Sequence, residues 1–332
     1  MLPTVSIIVP CLNEEKRIRF LMDAIFAQTY PRSLLTVTIA DGHSTDHTRE
    51  VIAAFKFAHP DIQLQVIDND IRNISAALNR AISASDCEII LRLDAHSGPS
   101  PHYVEKSVAA LLDGKGENVG GVWNIQPGSE TWVARSIAAA AAHPFGVGDA
   151  QYRYAQEASY VDTVPFGAYR RALIDKIGGY DESLWANEDY EFNVRIRQAG
   201  GKIWLDPAIN SVYFARSTFA SLARQYFRYG FWKFKMLRRY PNTLRWRQAL
   251  PPLFVVSLFF AILAAPFISV FAWLLVLEIL AYVGLLGLAG LMLSIKRHEI
   301  YYFLGVPMSI AVMHFAWGSG FLSSILIGKW NS

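Results

Sequence analysis

The last third of this chain is almost without charge. From Gln248 to Ile295, 48 residues contain one Asp, Glu, Lys or Arg, Glu278, and the 29 residues from Ile300 to Gly328 contain none. The first 247 residues hold 28 of the 31 Lys and Arg and 26 of the 28 Asp and Glu. A helix rises about 1.5 Å per residue, so such a run would reach about 72 Å, more than twice the roughly 30 Å hydrocarbon core of a bilayer. One span cannot use that length. Two can, turning near Pro266 and Ser269, and a third is expected over Tyr301 to Leu326. A buried helical hairpin in a soluble protein is the alternative. Disordered, collagen-like and disulfide-scaffold classes are excluded.

Charge placement orients the spans. Arg238, Arg239, Arg245 and Arg247 precede the first, and Lys296 with Arg297 separates the second from the third. In a three-span arrangement both clusters fall on one side, which the positive-inside rule makes cytoplasmic. Phe214 to Arg247 carries nine Lys or Arg and no acid, interleaved with rings such as Tyr226, Phe227, Tyr229, Phe231 and Trp232. That composition suits a helix in the headgroup layer, against anionic lipid. A net charge of only +3 and the adjoining spans argue against a nucleic-acid partner. Cys11 and Cys87, far apart and in apolar contexts, are expected as buried thiols in a reducing compartment rather than a disulfide. Val5 to Pro10 is only strand length, so no signal peptide is expected and the polar part stays where it is made.

In the polar part, apolar β-branched runs alternate with helical patterns. Val5–Val9, Leu35–Ala40, Leu64–Ile67 and Cys87–Leu93 read as strands; Glu14–Thr29, Asp46–Phe57 and Ser75–Ser83 read as helices. The alternation predicts an α/β domain whose mainly parallel sheet is covered on both faces. Ligands of such sheets bind beyond the carboxyl ends of the strands. Polar clusters stand there: Pro10-Cys11-Leu12-Asn13-Glu14-Glu15, Asp41-Gly42-His43-Ser44-Thr45-Asp46 and Asp94-Ala95-His96. A fourth, Asn187-Glu188-Asp189, opens a helix that ends near Ala199-Gly200-Gly201. Singly, each has a structural reading as a helix cap, a macrodipole partner or a surface turn.

In this order and spacing the clusters resemble glycosyltransferase family 2, with the GT-A fold. The resemblance covers roughly Thr4 to Lys233 and includes Gln225-x-x-Arg228, similar to the start of a Gln-x-x-Arg-Trp motif. The subgroup it is most similar to is the succinoglycan-type (ExoA-like) bacterial glucosyltransferases. The organisation implied is a catalytic GT-A domain over 1–213, a basic aromatic interfacial segment over 214–248 and about three transmembrane helices over 249–328.

The resemblance also implies roles. Pro10, Asn13, Glu14, Asp41 and Asp94 would surround the nucleotide sugar, with Asp41 on the base and Arg228 on the pyrophosphate. Asp94 would hold Mg²⁺ or Mn²⁺. His96 replaces the second acid of the family's Asp-x-Asp, which leaves open whether it ligates the metal or meets phosphate or acceptor. Asp189 would be the general base, with Glu188, Gln225 and Trp232 orienting the acceptor. Tyr229 stands where the motif's tryptophan would be, which argues against processive synthesis. Trp123 and the rings around Phe166 and Tyr169 serve either as sugar platforms or as core. The implied reaction is a single inverting displacement from a UDP-sugar onto a lipid-linked saccharide, at the cytoplasmic face of a bacterial inner membrane. Direct transfer onto polyprenyl phosphate, or a non-catalytic scaffold, are the alternatives.

Overall fold

A computed structural model describes residues 1–327; Gly328, the expected end of the apolar region, lies outside the described residues. The strands are β1 (Val5–Cys11), β2 (Leu35–Asp41), β3 (Gln63–Asp68), β4 (Ile89–Arg92), β5 (Gly98–Pro99), β6 (Asn118–Gln126), β7 (Ser159–Tyr160), β8 (Ala168–Arg170) and β9 (Ile203–Phe214). The helices are α1 (Ile18–Phe26), α2 (Thr48–Ala58), α3 (Ile74–Ser83), α4 (Tyr103–Leu112), α5 (Trp132–Ala141), α6 (Pro144–Val147), α7 (Arg171–Ile177), α8 (Glu188–Gln198), α9 (Phe219–Arg239), α10 (Trp246–Ala264), α11 (Ser269–Arg297) and α12 (Tyr302–Ile327). They form two compact units, one from 1–124 and 154–213, the other from 125–153 and 214 onwards.

The first unit is built on a mixed sheet of order β3-β2-β1-β4-β8-β6-β9-β5, with β7 beside β9. β1, β2, β3 and β4 pair in parallel, whereas β8 runs antiparallel to β4 and β6, and β9 to β5 and β7. Side chains alternate across a strand. Val5, Ile7 and Val9 therefore join Val37, Ile39, Leu91 and the inward residues of α1, α2 and α4 in one core, while α3 packs over the other face of β1 and β2. Gly121 in β6 allows the closest approach in this sheet: a Cβ there would lie 1.6 Å from the Ile209 carbonyl oxygen. Both cysteines are buried free thiols.

One expected helix is shorter than its pattern. Residues 14–17 form a turn and α1 begins at Ile18, because Asn13 is left-handed (φ 54°) and the amides of Glu14 and Glu15 bond Thr48 Oγ1 and Asp46 Oδ2.

The second unit is helical. α10, α11 and α12 are long and apolar enough to cross a membrane, and the chain turns at 265–268 as the Pro266–Ser269 break predicts. α9 begins with a capping box between Thr218 and Ser221 and packs along α12. Glycines bring these two backbones together: a Cβ on Gly230 would lie 2.0 Å from the Trp317 carbonyl oxygen, and one on Gly320 would lie 2.1 Å from that of Phe227. Some of the rings expected among lipid headgroups pack within the unit. Phe231 and Trp232 are buried, and Phe234 meets Phe321 edge-on at 5.3 Å. Asp149 accepts from both Arg245 and Arg247, tying the 143–153 segment to the start of α10. In the apolar region Glu278 accepts the Ser257 hydroxyl at 2.5 Å, a polar pairing that makes an acid tolerable there.

Candidate active site

The ends of β1 and β2 are laced together. Asn13 N–H donates to Ser44 Oγ at 2.8 Å, Asn13 Oδ1 accepts from Thr45 N–H at 2.8 Å, and His47 N–H donates to Glu15 Oε2 at 3.1 Å. Beneath this lacing lies Asp41, with no exposed side-chain surface. Its carboxylate accepts from Ser44 N–H at 3.0 Å, from the Ser44 hydroxyl and from Arg49 Nε. Buried carboxylates need such donors. Asp41 therefore holds the turn, and Asn13 and Ser44 form its surface. Pro10, one residue before the end of β1, is half-buried beside Ala40.

From the β1 turn, Glu14 reaches across to the segment that follows β4: its Oε1 lies 2.9 Å from His96 Nδ1. The pair joins two of the predicted clusters. Two residues before His96, Asp94 retains 22% of its side-chain exposure and accepts from Arg92 Nε at 3.1 Å. Arg92 Nη2 also donates to Glu188 Oε1 at 2.9 Å. The β4 end and the start of α8 thus meet through a guanidinium that the motifs did not single out. Its one sequence signal is a charge inside the apolar run Cys87–Leu93. Burial alone would favour neutral arginine, but the surrounding carboxylates of Asp94, Glu188 and Asp189 outweigh it and keep Arg92 firmly protonated.

α8 opens from Asn187, held left-handed at φ 66°. Glu188, Asp189 and Glu191 occupy its first turn and Arg195 and Arg197 its last, which matches the helix dipole. Asp189 Oδ1 accepts its neighbour's amide, Tyr190 N–H, at 2.9 Å. Desolvation, with Glu188 beside it, pushes the Asp189 carboxyl up to about 6 against the opposing pull of Arg92. A carboxylate poised near neutrality is suited to accept a proton. Another arginine, the half-buried Arg195, is structural: it pairs with Glu191 and caps the carbonyls of Ile177, Gly178 and Gly179.

Trp123 lies parallel to Tyr213 with centroids 4.1 Å apart and meets Phe166 at 5.6 Å, so one of its faces is occupied by protein. Gln225, Arg228 and Trp232 are all on α9, in the second unit, at helical spacings of three and four. Gln225 Nε2 donates to the Tyr229 hydroxyl at 2.9 Å, and Lys235 Nζ lies 4.3 Å from the Trp232 ring centroid.

Residues 6–178 match the profile of glycosyl transferase family 2. The chain belongs to that family. This family 2 glycosyltransferase is 30% identical over 322 residues to the succinoglycan biosynthesis protein ExoA of Rhizobium meliloti strain 1021, covering 96% of this chain and 94% of that protein. It is 26% identical to the dolichyl N-acetyl-alpha-D-glucosaminyl phosphate 3-beta-D-2,3-diacetamido-2,3-dideoxy-beta-D-glucuronosyltransferase of Methanococcus voltae, over 98% of each chain. Among solved structures it resembles the mannosyltransferase PcManGT of Pyrobaculum calidifontis, determined with GDP-Man and Mn²⁺. The TM-score is 0.69 at 20% identity, covering 99% of this chain and 89% of that one. The sheet is accordingly of the GT-A type, followed by three apolar helices.

Proposed function

We propose that this glycosyltransferase moves a single sugar, glucose, from a UDP-sugar to a polyprenyl-diphosphate-linked saccharide in bacterial exopolysaccharide synthesis, with inversion at the anomeric carbon. The observation that carries the reading is the meeting of Asp94, Glu188 and Asp189 around Arg92 beyond the end of β4. The relatives support it, since one is named for succinoglycan biosynthesis and another for transfer to a dolichyl-linked sugar. The three apolar helices and the basic segment before them suit an acceptor held at a bilayer surface, with the catalytic domain (1–213) on the cytoplasmic side of the inner membrane.

In this reading Asp189 accepts the proton of the acceptor hydroxyl as that oxygen attacks the anomeric carbon, and Glu188 orients the helix that carries it. Asn13 and Glu14 line the nucleotide, with Pro10 at the strand end. Asp41 acts through the turn it ties rather than from the pocket surface. Arg228 offers a planar, permanently charged fork to phosphate oxygens, and Gln225 and Trp232 belong to the acceptor side.

A divalent cation, Mg²⁺ or Mn²⁺, belongs to the same proposal. Among the described residues no three His, Cys, Asp or Glu side chains are grouped to hold a metal by themselves. That donor set fits an ion shared with a diphosphate, because Mg²⁺ takes one or two carboxylates, substrate phosphates and water. Asp94 would supply the carboxylate and His96 an imidazole nitrogen that favours Mn²⁺. A bound ion would supply charge neutralisation at the departing diphosphate.

The test is a panel of UDP- and GDP-sugars with the purified full chain and a lipid-linked acceptor, with and without EDTA, scored by nucleotide release and chromatography of the lipid product. The expected result is UDP release, loss of activity in EDTA with recovery on Mn²⁺ or Mg²⁺, and an extended lipid oligosaccharide. A monosaccharide-phosphate lipid would overturn the acceptor in favour of polyprenyl phosphate, and turnover indifferent to chelation would remove the metal.

A further inference from the structure

We propose that Arg92 is a positioning residue of the transfer site: by clasping Asp94 and Glu188 at once, its guanidinium fixes the spacing between the end of β4 and the first turn of α8, which carries Asp189. This rests on the function proposed above and adds to it a residue that none of the motifs contains.

Three observations carry it. Arg92 is 3% exposed, and a guanidinium so enclosed is stable only when acids and hydrogen bonds compensate for its lost water. Its side chain bonds two carboxylates 94 residues apart in sequence, Asp94 at 3.1 Å and Glu188 at 2.9 Å. Its Nη1 is buried with no acceptor among the described residues. The contrast with Arg195 is instructive, because that arginine has three backbone carbonyls among its acceptors and staples a loop. Among the described residues, Arg92 staples no loop with its side chain; its side-chain bonds reach only the two acids assigned to opposite ends of the reaction.

The chemistry of the fork matters as much as its charge. A planar guanidinium presents N–H groups in fixed directions and can hold two carboxylates at a set angle, whereas an ammonium is a point charge on a flexible stem. Without the clasp, Asp94, Glu188 and Asp189 would be three acids with no guanidinium between them, and the first turn of α8 would lose its tie to the end of β4 while Asn193 and Arg195 still held the rest of the helix. A misplacement of about 1 Å at a reacting centre can cost about 10²-fold in rate.

The experiment uses the full chain in detergent micelles, comparing the parent with Arg92→Lys, Glu188→Gln and the double variant. Asp189→Asn serves as the control for chemistry. For Arg92→Lys the expected outcome is a melting temperature close to the parent's, a donor KM within about threefold, and kcat lower by about 10²-fold. The double variant is expected to lose no more than the worse single one, since both substitutions release the same clasp. Amide hydrogen exchange over 187–191 is expected to quicken in Arg92→Lys while β1 and β2 remain as protected as in the parent. An unchanged kcat, multiplicative losses in the double variant, or unchanged exchange at 187–191 would each overturn the proposal. So would a kcat loss that merely follows a fall in melting temperature. The exchange measurement decides the matter even if the parent transfers no sugar from any donor, an outcome that would sink the functional reading instead.

Discussion

In the proposed mechanism Asp189 is the base, so it is the residue whose behaviour would most directly report the chemistry. Its carboxyl is destabilised as an anion by enclosure and by Glu188, so it binds its proton up to about pH 6. A base must be deprotonated to act. Below about 6, kcat/KM is therefore expected to rise tenfold per pH unit, and to level off above it. The same shift favours the protonated fold, so its contribution to stability is present below the ordinary carboxylate range and is lost as pH rises through about 6. Asp189→Asn should remove this limb and lower kcat by about 10²- to 10⁴-fold. A pH–rate profile of parent and variant checks both; an acidic limb that persists in the variant would assign it to another group. The acids themselves were legible in the sequence because their clusters follow the strands in the order and spacing of a known family, although each taken singly also had a structural reading. Arg92 was not. Its meaning depends on Glu188, 96 residues away, and only folding brings the two within 2.9 Å.

At the scale of elements, the strands read from the sequence are those whose local composition and long-range pairing agree. β1 to β4 are short β-branched runs in a parallel array, and the pattern found all four to within two residues at either end. The later strands escaped notice for a physical reason. β6 contains Gly120 and Gly121, β9 contains Pro207, and β5, β7 and β8 have two or three residues each, so their pairing comes from tertiary approach rather than propensity. α9 shows the same tension. Its cations and rings suggested a helix among lipid headgroups, yet the rings of Phe231 and Trp232 face protein. Close packing of α9 on α12 depends on glycine. A Gly230→Leu side chain would enter the space of the Trp317 carbonyl, 2.0 Å from the position of its Cβ. We expect this variant to lose about 1–3 kcal/mol, or more if the helices separate, and to show a lower melting temperature in detergent than Gly284→Leu, whose Cβ meets nothing within 4 Å.

For the whole molecule, the charge-poor stretches produce three apolar helices of 19, 29 and 26 residues. The proposed orientation puts the arginines before α10 and the Lys296–Arg297 pair after α11 on the cytoplasmic side, with the 265–268 turn on the other. In intact cells of a cysteine-free background, a membrane-impermeant thiol reagent should label Phe267→Cys and leave His298→Cys unlabelled until the membrane is permeabilised. The reverse pattern would invert the topology. The polar part divides in a way that no composition shift announces. Residues 125–153 lie within the region assigned to the catalytic domain, yet they pack with the helical unit, through α5 and α6 against α12 and through Asp149 to Arg245 and Arg247.

The sequence by itself determined the elements whose cause is local or periodic. These are the parallel strands, the lengths and number of the apolar helices, and the polar clusters at strand ends, because hydrophobic burial and chain geometry act on consecutive residues. Tertiary structure alone decided which of those polar groups touch. It turned Asp41 inward, paired Glu14 with His96, and bridged Asp94 to Glu188 through Arg92. Charge interactions act through space and are strengthened by burial, so their outcome depends on distances that no spacing along the chain contains.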